Sequence, residues 1–175
     1  MQSTSDPPVD KLAAPSATLL VSIAAFEAIA FALWMGGLVA LGAIAAPAVF
    51  GIVPAPSSAD AMTVVFRRFD RVAMVCAAVA LVAEAAFASR GGRIGRDGVA
   101  RGITVMVAAA LAIVTGTWLS PTIEELHRGG AIRGLGDAGE KLERIHRWAE
   151  TCGKVELVLV AAALVLLLVK LARRR

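Results

Sequence analysis

The stretch Leu19–Val53 carries two polar side chains, Ser22 and Glu27, in 35 residues. A run that long and that apolar does not fit the surface helix of a water-soluble monomer. About 20 apolar residues already cross the ~30 Å hydrocarbon core of a bilayer. Backbone polar groups have no water to bond there, so a lone spanning segment must be helical. The run sets the class of the protein and places one carboxylate, Glu27, among apolar surroundings.

Three more apolar runs follow: Val72–Phe87, broken only by Glu84, then Ile103–Leu119, then Val155–Leu171 with Glu156 at its start and Lys170 at its end. The chain is 58% hydrophobic with mean hydropathy +0.73, above the roughly 45–50% of soluble domains. We expect an all-α integral membrane protein with four transmembrane helices in an antiparallel bundle. The spans fall at about residues 19–50, 72–89, 101–121 and 152–172, and helices 1, 2 and 4 extend beyond the membrane core. Residues 17–175 form one domain. Residues 1–16 read as a disordered polar, Pro-rich tail, lacking the basic and short apolar regions of a cleaved signal peptide.

A first helix over residues 17–50 is about 50 Å long at 1.5 Å per residue, so it must tilt, kink or project. Pro47 is the place for a kink or an end. Ser57 with Asp60 reads as a capping box opening the second helix. Phe66-Arg67-Arg68-Phe69-Asp70-Arg71 reads as that helix's interfacial first part. Arg90–Gly98 is a short Gly/Arg turn that touches lipid phosphates; no strand precedes it, as a phosphate-binding loop would need. The third helix covers Val99–Leu119 and meets Pro121, with a short amphipathic piece over Ile123–Arg128 and a flexible break over Gly129–Gly136. Asp137 with Glu140 caps the last helix, which runs unbroken into the fourth span. On it, Leu142, Ile145, Ala149 and Cys152 share one face. Glu140–Arg144 and Glu143–Arg147 make i,i+4 pairs on another.

The net charge is +4, and the Arg-rich, Ala- and Gly-rich composition fits a bacterial source. The basic residues flank apolar spans, so the expected partner is the bilayer with its anionic headgroups, not nucleic acid. A homo-oligomer is compatible with the sequence. Side A (N-terminal tail, loop 2–3, C-terminal tail) and side B (loops 1–2 and 3–4) each hold nine Lys/Arg. Those of side A are crowded into very short segments, so the termini are placed in the cytoplasm, in a multi-pass inner-membrane protein.

Glu27 and Glu84 should lie at similar depth on adjacent antiparallel helices, with no cation in the side A half of any span core to neutralise them. Ionisable groups inside a membrane mark function by default. Two close carboxyl groups share a proton, so the pair is the candidate proton or cation site. The structural alternative is a carboxyl bonded to backbone, or one reaching to the interface.

A second constellation is Glu124-x-x-His127 with Glu143-x-x-His146. With Glu27 and Glu84 it matches the inventory of a di-iron bundle, but the pairs lie on side B, across most of the ~30 Å core from the lone carboxylates. They read as solvated helix faces. His146 and Trp148 are candidate interfacial residues. His127 and His146 with nearby Glu form the alternative metal or cofactor reading, although one helix supplies too few ligands for a closed site. No cofactor is called for. No His lies in any span, which argues against intramembrane haem. Cys76 and Cys152 share a membrane side, and buried thiols are the simpler reading than a disulfide. Ala32, Gly36 and Ala40 form a small-xxx-small ladder suited to close helix packing, and Trp34 should pack between helices.

Trp34-Met35-Gly36-Gly37 followed by Ala46-Pro47-Ala48-Val49-Phe50 resembles the first-helix signature of the transmembrane protein 205-like family. Phe66-Arg67-Arg68-Phe69 resembles its segment before the second helix, and Trp118-Leu119-Ser120-Pro121-Thr122-Ile123 the end of its third. Ile145-His146 resembles the Leu-His before its fourth, where Leu142 stands in place of the family's usual Phe. The resemblance covers nearly the whole chain. It implies a small bacterial four-helix membrane protein with no assigned reaction, and it brings no catalytic residues. A faint similarity of the Trp-x-Gly-Gly element to copper-resistance and haem-pathway membrane proteins is not matched by the intramembrane His those proteins use. The sequence thus leads to a non-enzymatic membrane protein, handling a small solute, proton or cation through Glu27 and Glu84. A metal-binding or structural module is the alternative.

Overall fold

A computed structural model describes residues 17–89 and 95–173. The tail over residues 1–16, most of the Gly/Arg turn and the last two arginines lie outside the described residues. Among the described residues, four helices form the fold. α1 comprises Ala17–Val39, a π-helical stretch Ala40–Ala45, and Ala46–Ile52. α2 is Ser57–Ala88. α3 comprises Arg96–Val114, a π-helical stretch Thr115–Leu119, and Ser120–Arg128. α4 is Gly136–Ala172. All four are long and apolar enough to cross a membrane. Each helix packs on its neighbour in sequence, and α4 closes on α1, which makes an up-and-down bundle.

The bundle is built inside-out relative to a soluble protein. Large side chains such as Phe26, Ile29, Leu33, Val75, Val82, Met106, Val158 and Val165 are exposed on its outside. The interior is dominated by Ala73, Ala77, Ala80, Ala108, Ala109, Ala112 and Ala163, with Phe31, Val105, Val160 and Leu167 among them. Lipid tails are as apolar as leucine, so burying large aliphatics gains little in a membrane. Small residues instead let backbones approach and gain dispersion contacts. The inward stripes repeat at three- and four-residue spacings: 24-27-31-34 on α1, 70-73-77-80 on α2, 105-108-112 on α3 and 156-160-163-167 on α4.

The expected kink at Pro47 takes another form. The chain stays helical through Pro47 to Ile52, and the π-helical stretch lies just before the proline. Proline offers no N–H and collides with the carbonyl four residues back, and a wider turn relieves both. α3 repeats the arrangement, with Thr115–Leu119 preceding Pro121. The two expected capping boxes do not form. Pro56 caps α2 and Leu135 caps α4, each without a side-chain hydrogen bond.

The small-residue ladder needs the largest correction. Ala32, Gly36 and Ala40 are exposed, and nothing lies within 4 Å of where a Gly36 side chain would start. The glycine of the Trp34–Gly37 motif that packs inside the chain is Gly37, whose Cβ would land on the Phe69 ring. Pro47 and Phe50 also face outward. A helix that is apolar on every side carries no periodicity to say which face turns inward.

Candidate functional site

Two polar layers interrupt the alanine core. The first joins three helices near their side A ends. Glu27 of α1 and Arg101 of α3 are buried at 0% and 1% side-chain exposure, and Glu84 of α2 at 16%. Arg101 Nε lies 2.5 Å from Glu84 Oε1, and Nη1 lies 3.8 Å from Glu27 Oε2. Both carboxyl groups therefore meet on one guanidinium. The Arg101 guanidinium and the Lys170 amine stand 5.1 and 4.4 Å from the Phe87 ring centroid, where the ring face attracts cations.

The sequence reading is right to bring Glu27 and Glu84 together and wrong to leave them without a cation. Arg101 is one of the nine basic residues that flank the spans on side A. α3 begins at Arg96, however, so Arg101 sits about 7 Å inside the helix at 1.5 Å per residue. Its side chain turns into the bundle on the stripe that continues through Val105, Ala108 and Ala112. A guanidinium withdrawn this far from water must be paired, and the two glutamates pair it.

Close approach does not complete the hydrogen bonding. Neither oxygen of Glu27, nor Glu84 Oε1, nor any guanidinium nitrogen of Arg101 has a hydrogen-bond partner among the described residues. The Arg101–Glu84 contact is therefore an ion pair without alignment. Two carboxylates facing each other can only repel, whereas one proton between them supplies the missing donor.

The second layer lies toward side B. Glu156 of α4 is 3% exposed, and Trp34 of α1 is fully buried against it. Trp34 Nε1 donates to Glu156 Oε2 at 3.2 Å, and Thr115 Oγ1 of α3 donates to Oε1 at 3.4 Å. Asp70 of α2, 8% exposed, completes the layer, with Ser120 beside it and its Cβ against Gly116 of α3. Arg67, one turn earlier on α2, donates to the Gly116 carbonyl at 3.0 Å and pairs with Glu124 at 3.1 Å. Trp34 packs between helices as expected. Its hydrogen bond to Glu156, and Glu156 itself as a buried acid, escape the sequence reading.

The side B residues do not gather into a metal centre. Glu124 is held by Arg67 and Arg128, and Glu143 by Arg133 and Arg147. Among the described residues no group of three or more His, Cys, Asp or Glu is placed to hold a metal. His127 lines a shallow polar groove with Asp60, Thr63 and Glu124. His146 is half-buried, while Trp148 is exposed at the foot of α4. Cys76 and Cys152 are buried free thiols.

Residues 29–131 match the family model described as a domain of unknown function, DUF4149. No curated protein and no solved structure matches the chain. The matched segment contains Trp34, Asp70, Glu84, Arg101 and Thr115, and therefore members of both polar layers. The match covers more than half of the chain, which thus belongs to the DUF4149 family.

Proposed function

We propose that this protein is a non-enzymatic membrane protein that binds and releases a proton, or exchanges it for a small cation, at Glu27 and Glu84. The observation that carries this reading is two carboxyl groups gathered on one buried arginine. Arg101 offsets one negative charge, and a shared proton removes the repulsion from the other. Glu84 keeps a partial opening at 16%, and Glu27 none. Protons then reach Glu84 first and Glu27 from it. Glu84 stands only four residues before the end of α2, about 6 Å at 1.5 Å per residue, so the site communicates with side A.

The finer reading of family and place also belongs here. The resemblance to the transmembrane protein 205-like family, on the Trp34–Gly37 and Ala46–Phe50 motifs, supports a bacterial inner-membrane protein. The crowding of basic residues into short side A segments supports cytoplasmic termini and contact with anionic headgroups.

The test is an acid pulse on proteoliposomes with an internal pH dye. Wild-type protein should move protons faster than empty vesicles, and Glu27→Gln with Glu84→Gln should remove the difference. Equal rates for the wild type and the double variant would end the transport form of this reading.

A second reading, an interaction module, is favoured by the exposed ladder of Ala32, Gly36 and Ala40. Outward-facing small residues suit close packing with another transmembrane helix, here a second copy. In that case Gly36→Leu breaks the oligomer seen by crosslinking, while the glutamine variants assemble normally.

A further inference from the structure

The side B layer holds two buried acids, Asp70 and Glu156, whose partners differ in kind from those at Glu27 and Glu84. Among the described residues neither acid makes an ion pair. Glu156 is bonded by two neutral donors, the Trp34 indole and the Thr115 hydroxyl. Asp70 Oδ2 is buried with no hydrogen-bond partner. Each of the four helices contributes to the surroundings of the layer. α1 presents Trp34, and α3 presents Thr115, Gly116 and Ser120. α4 presents Cys152, whose thiol lies near Thr115. α2 presents Arg67, and its guanidinium is committed to Glu124 and the Gly116 carbonyl.

Thr115 bonds Glu156 and the next residue, Gly116, lies against Asp70, so two buried carboxyl groups flank one turn of α3; two such carboxylates are costly unless a positive charge joins them. The π-helical stretch Thr115–Leu119 forms one wall of the layer, and such stretches leave backbone carbonyls outside the regular helical ladder. Gly116 lets Asp70 come close: its Cβ lies 3.3 Å from where a Gly116 side chain would start. The oxygens available are the free Asp70 oxygen, the carboxylate of Glu156 and the hydroxyls of Thr115 and Ser120. They suit a proton, or a small monovalent cation of the Na+ type, which takes oxygen ligands.

We propose that Asp70 and Glu156 form a second cation-binding site, near side B, that holds one monovalent cation or proton between α2 and α4. The site is separate from Glu27 and Glu84. Asp70 and Glu84 are 14 residues apart on one helix, about 21 Å, with alanine-rich core between. The proposal does not depend on the function proposed for the side A layer.

Trp34 supplies the reporter, because its indole bonds directly to Glu156. The experiment uses full-length protein with Trp118→Phe and Trp148→Phe, so that Trp34 alone emits. Its emission is followed in nanodiscs against pH and, separately, against NaCl with choline chloride as the ionic-strength control. A proton occupant gives a single-site change with pH alone. A metal cation gives a saturable change with Na+ that choline does not reproduce. Either result supports the site when Asp70→Asn or Glu156→Gln, whichever is folded by circular dichroism, loses the response. Glu27→Gln with Glu84→Gln must keep it, which separates this site from the side A layer. Emission indifferent to both pH and Na+ in the wild-type pair overturns the proposal. So does a response that survives in the folded Asp70 and Glu156 variants.

Discussion

The side A and side B layers bury acids by two different means. At side A, Glu27 and Glu84 are gathered on a guanidinium that is itself out of water. At side B, Glu156 is held by an indole N–H and a hydroxyl, and Asp70 keeps one oxygen unpartnered. The contrast teaches where each layer is fragile. A layer built on a charge pair fails when one charge is removed, because the other remains buried and alone. A layer built on neutral donors tolerates loss of charge, because those donors still find an oxygen.

The largest expected effect follows from that difference. Arg101→Met should destabilise the folded bundle by about 3–5 kcal/mol, the usual result of breaking a buried pair from one side. Reversible unfolding in mixed micelles checks it. Glu84→Gln should also destabilise, and Glu84→Gln with Arg101→Met should cost less than the two single losses added together. Simple additivity would mean that Arg101 and Glu84 are neighbours and not partners.

Packing gives the next effect, and it separates the layers by position. Gly116→Ala puts a Cβ 3.2 Å from Met74 and 3.3 Å from Asp70 Cβ. The overpacking should cost about 1–3 kcal/mol and disturb side B. Gly102→Ala, with only Glu84 Oε2 at 4.0 Å, should leave side A unchanged. Equal losses for the two glycines would erase the distinction.

Glu156→Gln should cost only about 1 kcal/mol, since Trp34 can donate to the amide oxygen while the Thr115 hydroxyl turns to accept from the amide N–H. A loss as large as that of Arg101→Met would show that side B also depends on charge. The smallest effect belongs to the surface. Arg133→Ala removes an exposed pair with Glu143 and should leave the unfolding curve unchanged, as exposed pairs do.

Much of this fold is legible in the sequence, and the reasons are specific. Four apolar runs fix four helices, because a bilayer demands both length and internally bonded backbone. The unbroken α4 is legible from its stripe, Leu142, Ile145, Ala149 and Cys152. That same stripe, carried one step further, reaches Glu156 on the inward face. The acid stands at the edge of an apolar run, where a charge reads as a flank. Arg101 is obscured for the same reason: a basic residue after a Gly/Arg turn looks like a loop charge. Its signal is the spacing to Val105, Ala108 and Ala112.

Asp70 lay hidden between Arg68 and Arg71 in a segment assigned to headgroups. It shares a stripe with Ala73, Ala77 and Ala80, which continues to Glu84. The outward turn of the Ala32–Gly36–Ala40 ladder was not legible, since α1 is apolar on every face and only its partners decide its rotation.

The central claim is that Glu27 and Glu84 share an exchangeable proton under Arg101. The most direct measurement is the pH-difference infrared spectrum of the reconstituted protein, read at the carboxylic C=O stretch. The account predicts a titrating carboxylic band that is lost in Glu27→Gln with Glu84→Gln and is shifted by Arg101→Lys. A spectrum in which the double glutamine variant matches the wild type across the titration would contradict it.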